Sequence, residues 1–261
     1  GRIAAQNAKQ VVVQRIREAE RGMVFEKFSS RENDIVTGII QRMENKNVYI
    51  DLGKAEAILT PNEQIPGEIY QYHDRMKTYI VEVKKTSKGP QIMVSRTHPG
   101  LLKRLFELEV PEIHDGLVEI KSVAREPGMR SKISVYTKDE NIDPVGACVG
   151  HKGMRVQTIV NELRGEKIDI VKYSSEPDQY VANALSPAKV VSTEVLEEEK
   201  ICRVIVPDYQ LSLAIGKEGQ NARLAAKLTG WKIDIKSESQ AAEEAEQGAQ
   251  EVGVAYEADE D

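Results

Sequence analysis

The chain has 261 residues, of which 40% are hydrophobic and 30% charged, a composition typical of two or three small globular domains. No apolar run approaches the roughly 20 residues of a membrane span and no signal-peptide pattern opens the sequence, so we expect a cytoplasmic protein without a membrane anchor. The net charge of −6 argues at first sight against a nucleic-acid-binding protein, but residues 239–261 contain eight acidic and no basic residues, and the rest has 36 basic against 34 acidic residues.

Residues 1–30 are predicted to be a helix. Their apolar residues recur at spacings of three and four, which places them on one helix face. The residues of this stripe are Ala5, Ala8, Val12, Ile16, Ala19 and Met23. We interpret the segment as an amphipathic helix that packs on another part of the protein.

Residues 31–97 are predicted to form a small β-barrel of the oligonucleotide-binding (OB) type. Five short apolar segments in about 65 residues favour this fold: DIVTGII, NVYIDLG, EAILTP, KTYIVEV and QIMVSRT. Tyr49 lies on the face opposite Val48 and Ile50 and can stack on a base, and Arg75 precedes the fourth strand. A surface that binds protein is the competing interpretation.

Residues 98–175 and 176–238 are predicted to be two copies of one α-β-β-α-α-β unit. Each copy contains an aliphatic residue and Gly-x-x-Gly, in VGHKGMR (149–155) and IGKEGQN (215–221), followed by a helix-like segment and Lys-Ile-Asp-Ile. One Gly-x-x-Gly is expected by chance about once in a chain of this length, whereas two in matching contexts indicate an internal repeat. Residues 239–261 lack a periodic apolar face and are predicted to be an acidic disordered tail.

The two Gly-x-x-Gly loops have the composition of a phosphate-binding turn. Glycine lets the backbone turn sharply, and the free N–H groups at the start of the following helix suit a phosphate. An unpaired strand can then place its bases against Val149 and Ile215. The candidate RNA-binding residues are Gly150, His151, Lys152, Gly153 and Arg155 in the first copy, and Gly216, Lys217, Glu218, Gly219, Gln220, Asn221 and Arg223 in the second.

Several alternatives remain open at this point. The loops can be plain helix connections, and Glu218 is a poor neighbour for phosphate, so the second loop is expected to bind more weakly. Arg125, Arg130 and Lys132 cluster at a Pro-Gly turn and can form either an RNA-facing patch or a solvated hairpin tip. The whole chain can instead be a protein-binding scaffold or an RNA-degradation subunit.

The residues give no support for an enzyme or a metalloprotein. No Gly-x-x-x-x-Gly-Lys-Ser/Thr phosphate loop is present, and no nucleophile or carboxylate constellation stands out, so we expect no catalytic residues. No His has metal-ligand spacing to another His or Cys, and we expect neither a metal nor another cofactor. Cys148 and Cys202 lie in apolar contexts, which favours buried, reduced thiols over a disulfide.

These patterns resemble known families. Each α-β-β-α-α-β unit is similar to a type II KH domain, and the barrel resembles an S1 domain. The order S1-KH-KH and several stretches resemble the bacterial NusA family of transcription factors: AQNAKQVVVQRIREAER, SRTHPGLLKRLFELEVPEI, VAREPGMRSKI, DPVGACVGHKGMRVQTIVNELRGEKIDI and AIGKEGQNARLAAKLTGW. The implied fold is multidomain α+β, with an S1-type OB barrel followed by two tandem type II KH domains.

The resemblance also implies partners. Members of this family bind nascent single-stranded RNA and RNA polymerase, and with other antitermination factors they take part in pausing, termination and antitermination. Polymerase binding is mainly a property of an N-terminal domain, of which residues 1–30 correspond to the last helix. We therefore expect a monomer that binds RNA and associates poorly with polymerase. The barrel departs from the S1 pattern because it offers mainly Tyr49 as a stacking residue.

Overall fold

The computed structural model describes the backbone of residues 1–258 and the side chains of residues 1–250. The chain divides into two compact units. The first contains residues 1–109, 127–129 and 157–166, and the second contains residues 110–126, 130–156 and the chain from residue 167 onward. No helix in the described part is both long enough and apolar enough to cross a membrane.

The first unit is built on a closed barrel of five strands, which confirms the expected OB-type fold. The strands are β1 (Ile35–Glu44), β2 (Asn47–Asp51), β3 (Glu56–Leu59), β4 (Arg75–Thr86) and β5 (Gly89–Ser95). They pair in the order β1-β2-β3-β5-β4, and β4 pairs with β1 to close the barrel. The β3–β5 pair is parallel, and the other four pairs are antiparallel. The alternating residues Val48 and Ile50 point into the core and are fully buried.

Helix α1 (Arg2–Ser29) precedes the barrel, and its two ends differ in burial. Phe28, near the C-terminal end, is buried and belongs to the barrel core. Farther toward the N-terminus, Val12, Ile16 and Met23 are 56%, 53% and 71% exposed. The helix therefore packs on the barrel through its C-terminal turns, and no other described residue buries the rest of the predicted apolar stripe.

The order α-β-β-α-α-β occurs twice after the barrel, as predicted. The first repeat contains α2 (Pro99–Glu109), a short α3 (Pro111–His114), β6 (Glu119–Glu126), β7 (Arg130–Tyr136), α4 (Pro144–Val149), α5 (Met154–Glu162) and β8 (Lys167–Lys172). The second repeat contains α6 (Pro177–Ala184), β9 (Ser192–Leu196), β10 (Ile201–Val206), α7 (Leu211–Ile215), α8 (Gln220–Thr229) and β11 (Lys232–Ser237). The sheets have the orders β6-β7-β8 and β11-β10-β9. In each sheet the strand that comes last in the sequence, β8 or β11, runs parallel to the central strand.

The two repeats share one apolar core within the second unit. Ala124 and Val171 of the first repeat lie in the same buried cluster as Val181, Leu185 and Leu224 of the second. Cys202 is a free thiol in this cluster, and Cys148 is also buried and free, which confirms the expectation of two reduced core cysteines. Burial raises the pKa of Cys148 to about 12. The shared core fixes the two sheets relative to each other.

A buried lysine adds a polar joint between the repeats. Lys132, on the central strand β7, is fully buried, and its Nζ donates to Asp169 Oδ2 at 2.9 Å and to the backbone oxygen of Ser186 at 2.7 Å. Burial lowers the pKa of Lys132, and Asp169 opposes that shift. The expectation of an RNA-facing patch or a solvated hairpin tip is wrong for Lys132 and for Arg125, since both side chains are buried against the fold.

In the first unit, Arg96 ties the barrel to the C-terminal end of α5. Its fully buried guanidinium donates to both carboxylate oxygens of Glu68, at 3.0 and 2.8 Å, and to the backbone oxygens of Lys77 and Glu162, at 2.9 and 3.0 Å. Such a pair is tolerated in a core because its hydrogen bonds are satisfied.

The acidic segment corrects one prediction. The structure contains a helix, α9 (Glu238–Ala258), where the sequence predicted disorder, while residues 259–261 lie outside the described part. Ser237 and Gln240 form a capping box, in which Gln240 N donates to Ser237 Oγ at 3.2 Å and Ser237 N donates to Gln240 Oε1 at 3.0 Å. The run after it is rich in Ala, Glu and Gln, which are strong helix formers, so a helix needs no apolar face here.

Candidate nucleic-acid interface

The two Gly-x-x-Gly loops have the same backbone conformation. In both, φ is positive at the first glycine, at the residue before the last glycine, and at the last glycine: +78°, +52° and +73° in the first loop and +80°, +57° and +76° in the second. The last glycine donates its N–H to the first glycine's carbonyl at 3.1 Å in each loop. The next residue, Met154 or Gln220, begins a helix, so the predicted helix–loop–helix geometry is present twice.

The first glycine of each loop is needed for space as well as for conformation. A Cβ at Gly150 would lie 2.6 Å from Arg155 Cγ, and a Cβ at Gly216 would lie 2.7 Å from the backbone N of Asn221. At Gly153 no atom lies within 4 Å of such a Cβ, and at Gly219 the nearest is Arg223 Nη1 at 3.9 Å. The positive φ alone therefore favours glycine at the last position.

The side chains between the glycines project into solvent. His151 and Lys152 in the first loop and Lys217 and Glu218 in the second are all exposed. Within residues 1–250, no hydrogen bond or ion pair occupies these four side chains. The first loop therefore offers an imidazole and an ammonium group to a ligand, whereas the second offers an ammonium group beside a carboxylate.

Arg155 and Asn221 lie at equivalent positions, five residues after the first glycine. Both side chains donate hydrogen bonds to a backbone oxygen of the helix that precedes the loop. Arg155 Nη1 donates to the backbone oxygen of Ala147 at 2.7 Å and to Glu112 Oε2 at 2.8 Å. Asn221 is 2% exposed, and its Nδ2 donates to the backbone oxygens of Leu185 and Ala214, both at 3.0 Å. In this arrangement the amide of Asn221 supports the loop and is not presented to a base edge.

The remaining candidates of the second repeat are more accessible. Gln220 is half-buried at the first position of α8, and Arg223 is exposed one turn later. Arg223 donates from Nε to Glu126 Oε1 at 2.8 Å and from Nη1 to the backbone oxygen of Glu218 at 3.0 Å. It therefore links the second loop to β6 of the first repeat while part of its guanidinium stays in solvent.

The two barrel candidates lie on opposite sides of β1. Tyr49 on β2 pairs with Arg42, whose guanidinium lies 4.2 Å above the tyrosine ring centroid. Glu56 holds that guanidinium with two hydrogen bonds of 2.8 and 3.0 Å. Arg75 begins β4 opposite Ile39, is exposed, and makes no ion pair with the described residues. Sequence reasoning missed Arg42, whose position over Tyr49 depends on the β1–β2 register.

Comparison with known proteins agrees with this geometry. Residues 96–173 match the model of the NusA-like first KH domain, and residues 177–243 match the NusA-like second KH domain. Residues 29–95 match the S1 RNA binding domain, and residues 1–22 match the NusA N-terminal domain.

Three similar curated proteins carry the description "Transcription termination/antitermination protein NusA". The Halalkalibacterium halodurans protein is 72% identical over 93% of this chain and 64% of its own length, and the Bacillus subtilis protein is 71% identical over 93% and 66%. The Mycobacterium bovis protein is 51% identical over 92% of this chain and 72% of its own length. The chain thus spans about two thirds of the length of the first two relatives.

Proposed function

Because this chain belongs to the NusA family of transcription termination/antitermination proteins, we propose that it binds single-stranded nascent RNA through both Gly-x-x-Gly loops. The observation that carries the proposal is the matching φ pattern of the two loops, which lie in the same compact unit. Each loop places unpartnered polar side chains beside a helix N-terminus, which suits a phosphate. One KH domain clamps about four nucleotides.

The shared core supports binding of one RNA strand by both loops. Since Lys132 and the cluster around Leu185 fix the repeats, the second loop meets a bound strand at high effective concentration. The proposed direct contacts are His151, Lys152 and Lys217, together with the backbone of the four loop glycines. Arg155 and Asn221 position the loops in this scheme.

In the whole protein, we propose that this RNA binding acts with RNA polymerase in pausing, termination and antitermination. We propose that the contact with polymerase lies mainly in the N-terminal domain, whose family model matches residues 1–22 of this chain. The chain is proposed to act without catalysis and as a monomer in the cytoplasm, with other antitermination factors as further partners.

A salt-dependent titration with single-stranded RNA tests the RNA-binding proposal. Three variants are compared with the parent: His151→Asp with Lys152→Asp, Lys217→Asp with Glu218→Asp, and all four changes together. Each paired change should weaken binding, the fourfold change should abolish it, and the salt slope should fall by roughly 0.7 for each lost phosphate contact. Unchanged binding in the folded fourfold variant would leave the loops as structural turns.

A further inference from the structure

The two repeats differ in what covers their β-sheets. In the first repeat, one face of the sheet is covered by α6 and α8 of the second repeat, so that Val181 and Leu224 lie in one buried cluster with Ala124 and Val171. Within residues 1–258, no third repeat follows β11, and the chain continues as α9. Stacked repeats leave the last unit with an uncovered face. The equivalent face of the second sheet is that face.

The strand registers of the two sheets identify equivalent positions. Lys132 on β7 lies opposite Asp169 on β8, and Arg203 on β10 lies opposite Asp234 on β11. Both aspartates belong to the repeated Lys-Ile-Asp-Ile sequence. Arg203 therefore occupies, in the second sheet, the position of the buried lysine that joins the two repeats.

In the first sheet, this central cation receives the end of a helix. Helix α6 ends at Ala184, and Lys132 Nζ donates to the backbone oxygen of Ser186 at 2.7 Å. Tyr180 of the same helix donates its hydroxyl to Ser134 Oγ at 2.8 Å. The last carbonyl oxygens of a helix lack intrahelical donors and carry partial negative charge, so a cation suits them. The first sheet thus shows that a helix ending over the central cation fits this kind of face.

The equivalent face of the second sheet, which we call the outer sheet face, combines a cation with aliphatic residues. Its central residues are Glu194, Leu196, Ile201, Arg203, Ile205 and Asp234. Cys202 and Val204, which alternate with them on β10, are buried in the core. Leu196, Ile201 and Ile205 are half-buried and lie outside that core cluster. A sheet face exposed to water usually carries polar residues, so three aliphatic residues around one cation are more typical of an interface.

Arg203 is available to a ligand. It is exposed, and within residues 1–250 its side chain makes no hydrogen bond or ion pair. Asp234, opposite it, forms an ion pair with Lys236 at 3.9 Å. A guanidinium has five N–H donors, so Arg203 can bind a carboxylate of its own sheet and backbone oxygens of a partner at the same time.

Helix α9 leaves the outer sheet face open. Its Glu244 pairs with Lys236 at 2.5 Å, on the edge strand β11. All residues from 238 to 250 are exposed except Ala241, which is half-buried. The helix therefore contacts the border of the face and does not cover its centre at Ile201 and Arg203.

We propose that the outer sheet face is a docking surface for an amphipathic helix of a partner protein. The helix packs its apolar stripe on Leu196, Ile201 and Ile205, and its C-terminal carbonyl oxygens lie at Arg203. The negative end of the helix complements the cation, and the stripe complements the aliphatic residues. The proposal goes beyond RNA binding, since no residue of this face belongs to a Gly-x-x-Gly loop.

Two synthetic helical peptides of about four turns test the proposal on the 261-residue chain. Both carry the same leucine stripe and a side-chain staple, and they differ only in the last turn, which contains glutamates in one and lysines in the other. Amide signals in NMR spectra locate the binding and give Kd. The variants are Arg203→Glu, Ile201→Gln with Ile205→Gln, and the control Lys227→Glu, which reverses an exposed charge on α8. Thermal unfolding verifies that each variant folds.

The glutamate peptide should shift signals of β9, β10 and β11 and bind about tenfold more tightly than the lysine peptide. Arg203→Glu should reverse this preference, the double isoleucine variant should weaken both peptides, and Lys227→Glu should change neither. RNA titration is a separate readout, in which Arg203→Glu should match Lys227→Glu because both change the net charge equally. Failure of the RNA proposal therefore leaves the peptide result intact.

Three outcomes overturn the docking surface. The first is the absence of binding by either peptide, or a preference that Arg203→Glu leaves unchanged. The second is self-association of the parent in sedimentation velocity that Arg203→Glu abolishes, which assigns the face to a second copy of the chain. The third is a peptide that binds only after residues 241–261 are removed, which assigns the face to α9.

Discussion

Lys152 and Glu218 occupy the same left-handed position in their two loops, with φ of +52° and +57°, and they carry opposite charges. Both side chains are exposed on the turn that is proposed to bind phosphate. The fold therefore repeats the geometry of the loop without repeating its charge, and the two RNA contacts are expected to differ in strength.

Glu218→Lys should strengthen RNA binding. The change removes a carboxylate next to the strand and adds a cation, which should lower Kd about threefold to tenfold and steepen the salt slope by roughly 0.7. Fluorescence anisotropy at several salt concentrations measures both. Glu198→Lys, at an exposed turn of the same repeat, is the matched control for net charge. An equal gain in the control would assign the effect to general electrostatics.

Gly216→Ala should destabilise the protein more than Gly219→Ala does. Both substitutions place an L-residue at positive φ, which costs roughly 1–2 kcal/mol. Only at Gly216 does the new methyl group also meet backbone, at 2.7 Å from Asn221 N. Urea unfolding gives the two free energies. Equal losses in the free energy of unfolding would show that the backbone around Gly216 shifts to make room for the methyl group.

Asn221→Ala should reduce both stability and RNA affinity, although Asn221 touches no RNA in this scheme. The change leaves the carbonyl oxygens of Leu185 and Ala214 without their donor, at a cost of about 1–3 kcal/mol. The affinity should recover at low temperature, where the loop is ordered.

Arg223→Gln, which alters an exposed side chain, should instead lower the salt slope with little loss of stability.

Lys132→Met should be strongly destabilising, because it leaves the half-buried Asp169 with Arg130 as its remaining cation and the backbone oxygen of Ser186 without its donor. Removing one partner of a buried ion pair costs about 3–5 kcal/mol. Adding Asp169→Leu should recover part of that loss, and a double-mutant cycle in urea unfolding measures the coupling. If the two losses simply add, Lys132 and Asp169 do not act as a pair.

Much of this arrangement could be predicted from the sequence because it depends on local patterns. Alternation of apolar residues predicted the barrel strands, and the doubled Gly-x-x-Gly predicted two sharp turns, each between two helices. Contacts between distant segments could not be predicted. The burial of Lys132 depends on the packing of the second repeat, and the position of the Arg42 guanidinium over the Tyr49 ring depends on the β1–β2 register.

Two differences between the sequence-based expectations and the structure have different physical origins. Asn221 looked like a base-reading residue because it follows the loop, but the equivalent position in both repeats points back to the preceding helix. The acidic segment looked disordered because it lacks an apolar stripe, yet Ser-x-x-Gln at residues 237–240 was a helix-start signal that the prediction overlooked.

The central claim is that the two loops bind one strand together, and the dependence of affinity on RNA length tests it most directly. With oligouridines of increasing length, Kd should drop steeply once the strand exceeds the roughly four nucleotides of one KH clamp and reaches both loops. Either paired loop variant should remove that drop while retaining binding of the shortest strand. A length dependence that persists in both variants, or none in the parent, would contradict a shared track.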